Sequence, residues 1–216
     1  MSSQTQQLEN PSIPSLGYPT EVYERRHFNE NNGALNTYFR KISSVLGSLI
    51  GPRGGRFMNN PYGSFQDSTD QTAANTTTAY AVKFNTTDFS NGVTIASTTR
   101  ITVVDAGIWN CQFSIQFKNT TNDTQDVDVW FRKNGTDISN SNSKFGLSAR
   151  KSSGDPSHVV AAMNFFASMN STDYLEIMWR TSDVGVSIEQ YAAGTSPTRP
   201  AIPSAIVTMS FVSNIT

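Results

Sequence analysis

The chain has 216 residues, and its 16 Lys and Arg against 17 Asp and Glu leave a formal net charge of −1 at pH 7. So even a balance supplies no field for a polyanion or an anionic bilayer, which sets aside nucleic acid and membrane surfaces as partners. No window approaches the roughly 20 apolar residues that span a bilayer, and "MSSQTQQLEN" lacks the apolar stretch of a secretory signal. The expectation is a soluble product of the cytoplasm.

Residues 1–30 read as an extended arm. Pro11, Pro14 and Pro19 interrupt any helix, and the apolar residues are too few for a core. Ile13, Leu16, Tyr18, Val22 and Tyr23 are nevertheless spaced through it like anchors for a groove on another body. Residues 31–55 read as a helical stem with a Gly-rich joint. Asn31 or Asn32 is placed to cap the helix, and Gly51-Pro52 followed by Gly54-Gly55 to stop it. Leu35, Phe39, Ile42, Leu46 and Leu49 alternate four- and three-residue steps, the spacing of a coiled-coil seam. Packing against the chain's own strands is the alternative, since Tyr38 and Val45 could widen the apolar stripe. Isolated helices of this length are marginal, so a seam needs its copies held together by something else.

Residues 56–216 read as an all-β head. Alternation is plainest in "QDVDVWFRKNGT", where Val127, Val129 and Phe131 face one way and Asp126, Asp128, Trp130 and Arg132 the other, before Asn134-Gly135 turns the chain. Further strands are expected in "AYAVKF", "GVTIAS", "RITVV", "GIWNCQFSIQF", "HVVAAMNFFASM", "YLEIMW", "VSIEQY" and "AIVTMSFV". Their spacing and the Asn-, Ser-, Gly- and Pro-rich connectors suit an antiparallel sandwich. Cys111 is the single cysteine and lies in one of these strands, where a buried thiol is expected. The seven N-x-[ST] sequons fit an Asn/Thr-rich surface better than glycosylation when no secretory signal accompanies them.

Catalytic and metal chemistry find little footing. His27 and His158 are the only histidines, too few for a histidine-based zinc set and without a G-x-S-x-G context for a nucleophile. Asp123, Asp126 and Asp128 could offer oxygens to calcium, but alternate carboxylates on a solvated strand face explain Asp126 and Asp128 more simply. "GPRGGR" follows a helix and lacks the Lys-Ser/Thr of a phosphate loop. Of Trp109, Trp130 and Trp179, only Trp130 shares its face with charged neighbours, which marks it for attention. The expectation is therefore no enzyme, no cofactor and no metal.

"VVDAGIWNCQFSIQF" (103–117) followed by "VDVWFRKNGTDI" (127–138) resembles the middle of the tumour necrosis factor-like, or complement globular-head-like, jelly roll. "STDYLEIMWRTSD" (171–183) resembles that fold's penultimate strand and "PSAIVTMSFV" (203–212) its closing one, so the likeness covers about residues 63–213. A polar arm, a helix and "GPRGGR" ahead of "NNPYGSFQDSTDQTAANTTTAY" and such a head are similar to short virion proteins of tailed phages. The resemblance implies a homotrimeric jelly-roll head, closed around the axis by an aromatic-rich sheet face. It also implies a place on the virion, where arm and helix meet major capsid or tail proteins. A receptor-binding tip that recognises host surface glycan or protein is the alternative. In that topology the loops "KNTTNDTQD" and "RKSSGDPS" lie far from the N-terminus, which makes Asn119, Asp123, Lys151 and Asp155, with Trp130, candidates for recognition; "AAGTSPTRPAIP" is a further candidate loop.

Overall fold

The computed structural model describes residues 12–18, 21, 22, 24–50 and 60–214 and, for 48–50, the backbone only. The chain divides into two units, Met1–Asn59 and Asn60–Thr216.

In the first unit, α1 (Arg25–Ile50) begins at Arg25, upstream of the expected caps at Asn31 and Asn32. Two local interactions carry the helix through "RRHFNENN". Arg26 and Glu30 pair across one turn at 2.8 Å, and the Phe28 N–H donates to the Glu24 carbonyl at 3.1 Å. Asn31 is therefore freed from capping and grips the arm instead. Its Oδ1 accepts from the Gly17 N–H at 3.1 Å, while Nδ2 donates to the Gly17 carbonyl at 3.3 Å and to His27 Nε2 at 3.2 Å. Gly17 lets the ring lie close, because a Cβ there would sit 2.5 Å from His27 Cε1 and the imidazole would have to swing aside. Residues 12–18 have no regular secondary structure, as the prolines dictate. Tyr23, the Leu49 side chain and the Gly51–Gly55 joint lie outside the described residues.

The second unit is built almost wholly of antiparallel sheet. One seven-stranded sheet holds β1 (Tyr62–Asp67), β2 (Gln71–Thr72), β4 (Thr86–Asn91), β7 (Gly107–Asn119), β11 (Ser157–Met169), β13 (Val186–Ile188) and β16 (Ala205–Ser213). The other holds β3 (Tyr80–Ala81), β5 (Val93–Ala96), β6 (Arg100–Val103), β8 (Gln125–Lys133), β9 (Thr136–Asp137), β10 (Ser143–Leu147) and β12 (Tyr174–Thr181). A small hairpin joins β14 (Gly194–Thr195) and β15 (Thr198–Arg199). In the first sheet β7 pairs with β11 along its whole length on one edge. Its other edge is shared by β16 over Ile108–Ile115 and by β13 over Phe117–Asn119. In the second, β12 pairs with β8 on one edge and with β6 and β3 on the other.

The two sheets pack face to face through the inward residues of this alternation. On β7 these are Trp109, Cys111, Phe113, Ile115 and Phe117; on β8 they are Val127, Val129 and Phe131, as the pattern predicts. Rings meet across the interior, Phe113 with Phe131 and Phe117 with Trp179, each pair 5.7 Å between centroids. Such contacts add to apolar burial of roughly 1.5–3 kcal/mol for each large side chain. Gly107 opens β7 because a Cβ there would lie 2.7 Å from the Ser213 carbonyl and against the Phe211 ring. The Asn134-Gly135 turn is present, with φ of +48° and +80°, the primed geometry that joins β8 to β9.

Strands β1 and β4 escape the alternation pattern. Polar side chains hold β1 to β4: Asp88 accepts from Ser64 Oγ at 3.1 Å and from Gln66 Nε2 at 2.6 Å.

Cys111 is fully buried, and burial pushes its thiol pKa up to about 12. A polar disulfide reagent at about pH 8 is expected to leave the native chain unmodified and to titrate its one thiol only after denaturation. Rapid labelling without denaturant would show that β7 is not closed on both edges.

Candidate functional site

The outer faces of the two sheets carry opposite chemistry. On the second sheet, charges stand out from β8, β10 and β12 and are paired: Asp128 with Arg180 at 3.0 Å, Asp126 with Lys144 at 3.6 Å, Arg132 with Asp137 at 2.7 Å. Glu176 adds Arg100 at 3.8 Å and accepts from Thr99 Oγ1 at 2.9 Å. On the first sheet, β11, β7 and β16 align three outward rows: Ala162 with Ser114 and Ile206, Asn164 with Gln112 and Thr208, Phe166 with Asn110 and Ser210. None of these carries a charge. Val160 and Phe166 stand 54% and 55% exposed on this face, and Ile206 and Val212 are exposed beside them. Asn110 Oδ1, in the Phe166 row, is shielded from solvent and has no hydrogen-bond partner among the described residues. Lys118 and Glu189 form an ion pair at one end of the face.

Trp130 lies on the charged face, where it forms part of a shallow, open cavity of about 330 Å³. Asp128, Asp137, Ile138, Asn140, Asn142 and Arg180 are its other walls. Trp130 Nε1 donates to Asp137 Oδ1 at 2.8 Å, and Arg132 Nε donates to the same oxygen at 2.7 Å. The Arg132 guanidinium first, and the indole N–H second, hold the Asp137 carboxyl below the usual carboxylate range. The clasp is therefore complete at neutral pH and loosens only as acid titrates Asp137 through that lowered value. Asp128, expected on a solvated face, is instead only 8% exposed, because Arg180 covers it from the neighbouring strand.

The loop candidates divide. The segments after β7 and after β10 do meet: Arg150 N donates to the Thr121 carbonyl at 2.9 Å and Arg150 Nε to Asn122 Oδ1 at 2.8 Å. They lie at the end of the head opposite Pro61, whose carbonyl accepts from Phe211 N beside the start of β7. Asn119, however, is fully buried and does structural work. Its Nδ2 donates to the Asp123 and Ser148 carbonyls, both at 2.9 Å, and its Oδ1 accepts from the Thr121 N–H and hydroxyl, both at 2.8 Å. It fastens the two loops and is not available for recognition, a correction to the sequence expectation. Lys151 and Asp155 form an exposed pair at 3.9 Å, and neither lines the cavity beside Trp130.

In the first unit, the arm residues Ile13 and Tyr18 are 85% and 93% exposed, and Leu16 and Val22 are exposed with them. On α1, Leu35 and Ile42 are half-buried while Phe39 and Leu46 are exposed. Trp109 and Trp179 are core residues. Among the described residues no group of three or more His, Cys, Asp or Glu is arranged to hold a metal ion, and no helix is long and apolar enough to cross a membrane. No family model matches the chain, and no curated protein matches it.

Asn119→Ala is expected to lower stability by about 1–3 kcal/mol, because it strands the Thr121 N–H and takes one of two donors from each of the Asp123 and Ser148 carbonyls. Lys151→Ala and Asp155→Ala should stay within about 0.5 kcal/mol of the parent. Denaturant midpoints of the three variants check this; an Asn119→Ala chain as stable as the parent would show the loops to be held by other means.

Proposed function

We propose that the chain is a virion structural protein of a tailed phage: a homotrimeric jelly-roll knob joined to capsid or tail proteins by its N-terminal arm and helix. It displays or reinforces and does not catalyse. The observation that carries the fold half of this reading is the strand order. β11–β7–β16–β1 in one sheet and β10–β8–β12–β6 in the other alternate along the chain as the two halves of a jelly roll do.

The trimer half rests on the three uncharged rows across β11, β7 and β16. A solvated sheet face carries charges, as β8 and β12 do, whereas interface centres are depleted of them. Val160, Phe166 and Ile206 supply the apolar area. Joined heads would raise the effective concentration of three α1 helices, so that exposed Phe39 and Leu46 could close a seam too short to associate alone. The particle half rests on sequence order, a polar Pro-containing arm and a heptad helix ahead of a strand-rich head, with Ile13, Leu16 and Tyr18 exposed on the arm as anchors for capsid or tail protein.

The full chain at micromolar concentration is expected to sediment at three times its monomer mass. Phe166→Asp, at a position exposed in the single chain, should give a folded monomer with an unchanged circular dichroism spectrum. Deleting residues 1–30 should leave the trimer intact and abolish its incorporation into particles. A monomeric parent, or a Phe166→Asp chain that assembles as before, contradicts the trimer; incorporation without the arm contradicts its anchoring role.

A further inference from the structure

From the cavity beside Trp130 we infer a binding site for a neutral pyranose sugar. The inference stands on the pocket alone and holds or fails independently of the particle reading. Three features carry it: a fixed aromatic wall, a rigid loop that presents amides, and a cancelled local charge.

The aromatic wall is set by the Asp137 clasp. With its N–H already donated at 2.8 Å, the indole has no polar need left and offers apolar surface to the cavity. Trp109 and Trp179 are buried, so Trp130 alone of the three can meet a solute.

The loop of residues 138–142 is anchored from beneath by Ser141, which is buried. Its Oγ donates to the Ile138 carbonyl at 2.8 Å and accepts from the Phe131 N–H at 3.1 Å, and the Ile138 N–H donates to the Phe131 carbonyl at 2.9 Å. Asn140 and Asn142 flank this anchor and line the cavity from fixed positions. Their side-chain amides have no hydrogen-bond partner among the described residues, and each offers donors and an acceptor.

Charge decides the ligand class. Asp128 is matched by Arg180 and Asp137 by Arg132, so the wall neither attracts nor repels a net charge. One oxygen of each carboxylate is engaged, Asp128 Oδ2 and Asp137 Oδ1, which leaves the other as an acceptor for hydroxyls. Acceptors, amides and a ring edge-bound in place match a molecule with an apolar C–H face and a rim of hydroxyl groups. The cavity volume of about 330 Å³ lies at the small end of ligand pockets, which run from ~300 to 1,000 Å³, and suits a single sugar ring.

The test uses the full chain with methyl glycosides of glucose, galactose, mannose and N-acetylglucosamine, and with glucuronic and N-acetylneuraminic acids as charged comparators. Saturation-transfer NMR and tryptophan fluorescence are the readouts. At least one neutral glycoside is expected to bind saturably in the millimolar range, with its ring protons most strongly saturated. Trp130→Ala should weaken it by about tenfold or more, equivalent to ~1.4 kcal/mol; Trp130→Tyr should retain most of it. Asn140→Gly, which suits the positive φ of +61° there, and Asn142→Ala should each weaken it several-fold. These two positions are exposed and decide the matter even if Trp130→Ala fails to fold. No saturable neutral ligand, binding confined to the acids, or binding untouched in all the variants overturns the inference.

Discussion

The head depends on the strict alternation of one strand. Along β7, Trp109, Cys111, Phe113, Ile115 and Phe117 face inward, and Asn110, Gln112, Ser114, Gln116 and Lys118 face outward. A period of two allows no slip, since a shift by one residue would bury the second set and expose the first. Register is thereby fixed for β11, β16 and β13, which all pair with β7, and through β16 for β1 and β4. Trp179 of β12 and Phe131 of β8 then complete the interior from the other sheet. Among the described strands none is paired over as many residues as β7, so the architecture is only as good as this pattern.

The same alternation divides labour between the two outer faces. One carries paired charges, of which the open pairs Asp126–Lys144 and Arg132–Asp137 contribute little stability, while Asp128 and Glu176 lie covered by their arginines. The other spends Asn, Gln, Ser and Thr among Val160, Phe166 and Ile206, a composition suited to contact with another protein surface. The Trp130 cavity belongs to the charged face. There the ion pairs acquire a second role, because they orient an aromatic ring and neutralise one another around it.

How far the sequence could be read follows from where the information sits. β7, β8, β11 and β16 were legible because their inward residues are large and apolar at period two, and the β8–β9 turn because Asn134-Gly135 tolerates positive φ. β1 and β4 were not, because their pairing runs through Ser64, Gln66 and Asp88, which resemble loop residues. The helix start was misplaced because Asn31 looks like a cap, and only its long-range bond to Gly17 shows another use. Asn119 sat in a polar loop sequence, and nothing local foretold that its amide ties Asp123 to Ser148. Trp130 stood out among charged neighbours, yet its pocket did not, since Asn140, Asn142 and Arg180 come from separate segments joined only by strand pairing.

Hydroxyl-radical footprinting of the intact chain tests the division of the two faces most directly, with Phe166 and Trp130 as reporters on opposite sheets. Phe166, exposed in the single chain, should be protected at assembling concentrations and labelled on dilution, while Trp130 should be labelled throughout. Equal labelling of Phe166 at all concentrations would contradict that division.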